Sequence, residues 1–111
     1  YQLRVRDDGY GLWRGVDLSG ASQATLSLDY KRLKLDSSSD YVTVDVSSDG
    51  GSTWTELDRF EGGGDDNLYQ YRYYDITAHA GSNTRIRFLG SPTLGGTDEV
   101  WFDDIEVVCT P

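Results

Sequence analysis

The feature that most constrains this chain is a short-period alternation, in which apolar and polar residues exchange places at every second position. Gly, Asp and Ser interrupt the pattern about every dozen residues. Successive side chains of an extended strand point to opposite faces, so the pattern codes for strands that each bury one face. Eight strands are predicted, at 1–6, 12–18, 25–33, 41–47, 54–60, 68–77, 84–89 and 99–108. Turn chemistry separates them: Asp7-Asp8-Gly9, Ser19-Gly20, Asp36 to Asp40, Asp49-Gly50-Gly51, the glycines at 62–64, Gly81-Ser82-Asn83 and Gly95-Gly96. Leu26, Leu28 and Tyr30 share one face, as do Val42, Val44 and Val46, and Ile86 and Phe88; these are the expected core. The reverse faces, with Thr25, Ser27, Asp29 and Lys31, with Tyr41, Thr43 and Asp45, and with Arg85 and Arg87, are expected to meet solvent or a ligand.

The expected class is all-β, a two-sheet antiparallel jelly-roll sandwich with strands 1, 8, 3 and 6 in one sheet and 2, 7, 4 and 5 in the other. At 111 residues the chain is read as one domain, residues 1–111, an accessory domain cut from a larger secreted protein. No run reaches the roughly 18 apolar residues of a membrane helix, so membrane insertion is not expected. The net charge of −9 repels phosphate backbones, which argues against nucleic acid as a partner. Cys109 stands alone, either as a buried thiol or as half of a bond to a cysteine beyond this sequence. With His79 as the one histidine, the Cys/His and Ser/His pairs of nucleophilic catalysis and zinc-ligand spacing are missing, and no enzyme is expected.

From Ala24 to Val107 the segments "ATLSLDY", "DYVTVDVSSDGGSTWTEL", "YDITAHAGSNTRIRF" and "VWFDDIEV" resemble the MAM-like jelly-roll modules appended to secreted bacterial peptidases, glycosidases and adhesins, and the sandwich carbohydrate-binding modules. The resemblance implies a non-catalytic module that binds polysaccharide or cell-surface glycan, or, as the alternative, a MAM-type protein-adhesion or structural module of a secreted peptidase. In carbohydrate-binding relatives an acid of the closing motif ligates a structural Ca²⁺, which implies a metal role for Asp103 or Asp104. Ser47-x-Asp49-x-Gly51-x-x-Trp54 also matches an Asp-box hairpin. For this segment the structural reading prevails: Asp49 caps its own turn and Trp54 packs in the core.

Three constellations are candidates for function. The jelly-roll winding brings nine acids to one pole (Asp7, Asp8, Asp36, Asp40, Glu61, Asp65, Asp66, Asp98 and Glu99) without basic partners. Ca²⁺, which takes roughly six to eight oxygen ligands, would relieve their repulsion, with Asp36 and Asp40 as candidate ligands; the rival is a solvated acidic rim. Alternation with Trp101, Ile105 and Val107 points Asp103 inward, where it needs either a metal or a salt bridge to Arg14. On sheet 2-7-4-5, Trp13 and Tyr41 are candidates for stacking on a sugar, while Asp45, Arg85 and Arg87 bond its hydroxyls. The rival reading there is a ladder of ion pairs from Arg85 and Arg87 to Asp17 and Asp45, with Tyr41 over their stems. The sixth strand carries Tyr69, Tyr71, Tyr73 and Tyr74, too many for one inward face, so some are exposed as packing surplus or as a second sticky face.

Overall fold

The computed structural model describes residues 2–6, 11–33, 35, 39–62, 66–92 and 99–111, with residues 2–6, 11 and 13 described by backbone alone. Among the described residues, eight strands form two antiparallel sheets. They are β1 (Gln2–Arg6), β2 (Gly11–Val16), β3 (Gln23–Leu33), β4 (Tyr41–Ser47), β5 (Thr55–Glu61), β6 (Gln70–Asp75), β7 (Thr84–Gly90) and β8 (Glu99–Thr110). One sheet runs β1-β8-β3-β6 and the other β2-β7-β4-β5, the jelly-roll order expected from the alternation. A 3-10 turn, Thr77–His79, follows β6.

The core lies between the sheets and is built from the predicted faces: Leu26, Leu28 and Tyr30 of β3, Val42, Val44 and Val46 of β4, and Ile86 and Phe88 of β7. Phe102 of β8 joins two aromatic contacts there, with Phe60 at 5.3 Å and Phe88 at 4.5 Å between ring centroids. Two polar clamps tie the margins. The Tyr74 hydroxyl of β6 donates to Asp58 Oδ2 of β5 at 2.7 Å, joining the edge strands of opposite sheets. The Arg32 guanidinium grips Asp66 through Nε to Oδ2 at 2.8 Å and Nη2 to Oδ1 at 2.9 Å, and reaches the Glu61 carbonyl at 3.0 Å.

That second clamp lies at the pole where the acids were expected to gather. The four described members of the group do meet there, since Gly62 N–H donates to the Asp40 carbonyl and Leu33 pairs with Glu99. Asp7, Asp8, Asp36, Asp65 and Asp98 lie outside the described residues. The expectation of a pole without basic partners is corrected: Arg32 is drawn into it, and its hydrogen bonds hold Asp66 below the ordinary carboxylate range.

Alternation fails on β8. Ser27 pairs with Glu106 but Asp29 pairs with Asp103, so Asp104 and Ile105 together stand opposite Leu28. This is a β-bulge, and Asp104 takes the left-handed conformation, φ 47°, which Asp tolerates better than most residues. The extra residue reverses the facing of everything before it. Val100 and Phe102 point into the core, Ile105 and Val107 pack against it, and Asp103 faces outward with Trp101. Asp103 is therefore not the inward acid that unbroken alternation predicts. Arg14, exposed at the edge of the other sheet, is not its partner. Cys109 is likewise exposed and not buried, because β8 there outruns the core that would cover it.

Candidate functional site

The outer face of β2-β7-β4-β5, which carries the predicted sugar contacts, is organised around Asp45. Asp45 as a residue is 3% exposed, and its Oδ2 accepts from Arg87 Nε at 2.9 Å and Thr43 Oγ1 at 3.1 Å. Arg87 in turn lies 4.2 Å from the Trp54 ring centre, a cation–π contact. Trp54 is thus half-buried over this outer face instead of packing in the core as expected, because the hairpin before it folds back over β7. In that hairpin Gly51, at φ 96°, approaches Arg85 so closely that a Cβ would lie 3.2 Å from its guanidinium and 3.4 Å from the Trp54 ring. Only glycine fits both the backbone angle and the space.

Asp49 holds the hairpin as the motif suggested. It accepts from Thr53 N–H at 2.9 Å, Thr53 Oγ1 at 2.5 Å and Ser47 Oγ at 2.7 Å. The Thr53 and Ser47 bonds stabilise its charge and push its pKa far below the usual carboxylate value. Tyr41 is occupied differently, with the Arg59 guanidinium 3.9 Å over its ring while Arg59 also pairs with Glu56 at 2.8 Å. Trp13 pairs with Arg87 through the backbone, and its side chain lies outside the described part. Of the five predicted contact residues, then, Asp45 and Arg87 satisfy each other and Tyr41 stacks on an arginine. The pair between Asp45 and Arg87 is the ion-pair ladder that competed with sugar binding. Asp17, the other proposed rung, instead accepts from Ser19 N–H at 3.0 Å and Ser19 Oγ at 2.7 Å.

The opposite outer face is open. Cross-strand register sorts it into rows: Tyr71, Asp29 and Asp103 in one, Tyr73, Ser27 and Glu106 in the next, Asp75, Thr25 and Val108 in the third. Tyrosines form the column on β6, small polar and acidic residues the column on β3, and acids most of the column on β8. Tyr71 is 61% exposed and Tyr73 69%, and their ring centroids are 6.2 Å apart at an interplanar angle of 35°. Beside them runs a shallow cleft of roughly 480 Å³, lined by Ser27, Asp29, Tyr71, Asp104, Ile105 and Glu106. Burial, then the Asp104 carboxylate it hydrogen-bonds, then Asp103, push the pKa of Asp29 upward.

Sequence reasoning placed Ser27 and Asp29 outward and singled out the tyrosines, but left Glu106 unremarked and Asp104 as a possible metal ligand. The missing signal was the bulge, for which two successive acids inside a strand were the one clue. The described candidates for Ca²⁺ ligation, Asp40, Asp103 and Asp104, are not gathered at one place. Asp103 Oδ1 accepts the Asp104 N–H at 2.8 Å, Asp40 stands at the far pole, Asp36 lies outside the described residues, and no trio of acids among the described residues is arranged to hold a metal ion. No protein-family model matches the chain, and no curated protein matches it either.

Proposed function

We propose that this domain is a non-catalytic module that binds polysaccharide or cell-surface glycan through the outer face of β1-β8-β3-β6, as an accessory part of a secreted protein. The observation that carries the reading is the exposed pair Tyr71 and Tyr73 beside a polar cleft. Large aromatic rings left in water on a sheet face are costly unless something covers them, and sugar C–H faces stack on such rings. Adjacent rings at alternate positions of one strand suit consecutive rings of an extended polymer. Ser27, Asp29 and Glu106 stand within the same rows to bond hydroxyls, and a carboxylate accepts two at once.

This places the ligand on the opposite sheet from Trp13, Tyr41, Asp45, Arg85 and Arg87. Asp45 and Arg87 already spend their hydrogen bonds on each other, so a sugar there would have to displace an ion pair to gain a contact. A glycan array probed with the domain and with Tyr71→Ala/Tyr73→Ala tests the reading. Binding by the parent and its loss in the folded double variant is the expected result. A parent that binds no glycan, or a variant that binds as well, overturns it; a tyrosine-dependent dimer in sedimentation would point instead to adhesion of MAM type.

A further inference from the structure

We propose that the open edge of β6 pairs with the β6 edge of a second copy, antiparallel about a two-fold axis at Tyr73, which joins two four-stranded sheets into one. The proposal goes beyond the sugar reading and does not depend on it. Among the described residues β6 is an end strand, with β3 as its neighbour on one side. Backbone amides alternate between the two sides of a strand, and the Ile76 N–H donates to the Ala24 carbonyl of β3 at 2.9 Å. Residues 70, 72, 74 and 76 therefore address β3, while Tyr71, Tyr73 and Asp75 turn their N–H and C=O groups to the open side. The Arg32 carbonyl of β3, which accepts from the Asp66 N–H before β6 begins, keeps the same phase. On the open side the Tyr71 carbonyl accepts from Arg72 Nη1 at 2.9 Å, so a side chain of its own strand stands where a neighbouring strand would donate.

Edges meant to stay unpaired carry bulges, proline or charge. β5, the edge strand that Tyr74 reaches across the core, is protected in this way: its pairing with β4 is bulged at Asp45, and Glu56, Asp58, Arg59 and Glu61 lie along it. β6 has no proline, its register with β3 is unbroken, and five of its six residues are exposed. The occupant is a second copy because the strand is complementary to itself. With Tyr73 opposite the partner's Tyr73, Tyr71 stands opposite the partner's Asp75, and the open residues of both strands exchange about six hydrogen bonds. Arg72 then stands opposite the partner's Tyr74, the residue whose hydroxyl holds the Asp58 carboxylate, so opposite charges approach across the seam. Centring on Asp75 would set two carboxylates against each other, and centring on Tyr71 would carry Tyr73 past the start of the partner strand. Each copy carries −9, but β6 itself holds one Arg and one Asp, which leaves the seam neutral.

Sedimentation of the domain from about 10 µM to about 1 mM should show the mass rising from 12.4 kDa toward twice that value, because a six-residue seam belongs to the small, weak class of specific interfaces. Cysteines then read the register. In a Cys109→Ser background, Tyr73→Cys sets two thiols on Cα atoms about 5.5 Å apart, within disulfide reach, whereas Tyr71→Cys sets them more than about 13 Å apart. Mild oxidation should cross-link the first variant and leave the second monomeric on non-reducing gels. Tyr73→Lys, which opposes two ammonium groups at the axis, should weaken the dimer about fivefold, while Tyr71→Lys, which faces the partner's Asp75, should not. Tyr71→Ala/Tyr73→Ala should still dimerise, because backbone groups hold the seam. A domain that stays monomeric up to about 1 mM overturns the proposal and leaves the edge to a strand of another protein. Equal cross-linking of the two cysteine variants overturns it too. So does a dimer that is lost in Tyr71→Ala/Tyr73→Ala, which would place the contact on the rings of the outer face.

Discussion

Asp29 and Asp49 show how far a carboxylate's behaviour depends on what surrounds it. Asp49 sits among hydroxyl and amide donors, so its folded pKa is depressed. Its contribution to stability is complete above the unfolded carboxylate value and is lost as pH falls through the depressed folded one. Asp49→Ala should therefore lower the melting temperature at neutral pH, with the deficit closing only in strong acid. Asp29 runs the other way. Its folded pKa is raised, so its ionisation costs stability at neutral pH and protonation on acidification removes the cost. Asp29→Asn should stabilise the domain at neutral pH, by at most about 1 kcal/mol for an exposed like-charge neighbourhood. The gain should vanish as pH falls below the ordinary carboxylate range, where Asp29 is protonated in both states. Thermal melts across pH measure both effects. The role of Asp49 was legible because its partners are local, two and four residues away; that of Asp29 was not, because its neighbours come from another strand and a bulge sets which of them arrive.

Strands read well from sequence when their alternation is unbroken. All eight lie within about two residues of expectation, since a buried face punishes a one-residue slip by exposing every core side chain it carries. β8 is where this logic fails: one inserted residue lets both halves of the strand bury their apolar sets, and no periodicity spans the join. The bulge makes a prediction of its own. At φ 47° a β-branched residue is strained, so Asp104→Val should cost roughly 1–2 kcal/mol in urea unfolding, whereas Asp104→Gly should be tolerated. Between elements, the Tyr74 to Asp58 bond is the described side-chain tie from edge β6 to edge β5. Tyr74→Phe removes that donor from a half-buried carboxylate and should cost about 1 kcal/mol. Neither clamp was legible, because which edge strands face one another across the core follows from the packing of sheets and not from either strand's own pattern.

At the scale of the whole molecule, two sheets share one core but present unlike outer faces. On β2-β7-β4-β5 the inner strand β4 is buried on both sides: Val42, Val44 and Val46 inward, and Thr43, Asp45 and Ser47 beneath the side chains of the neighbouring strands and the hairpin. On β1-β8-β3-β6 the outer face keeps its rings and acids in water. The division sets two variants apart. Arg87→Ala leaves the Asp45 carboxylate, whose side chain is only 5% exposed, without its counter-charge. Orphaning a buried ion typically costs about 3–5 kcal/mol, and the partial exposure of Arg87, at 26%, moves the expectation to roughly 2–3 kcal/mol. Replacing Arg87, read from the sequence as a sugar contact, is thus expected to act on folding, because its buried partner is the protein's own acid. Tyr71→Ala/Tyr73→Ala removes exposed rings that lie outside the buried core, so its unfolding midpoint should stay near the parent's while glycan binding is lost. Urea unfolding and glycan binding measured on both variants separate the faces. A stable Arg87→Ala protein that has lost glycan binding, beside a tyrosine variant that still binds, would return the site to the covered sheet.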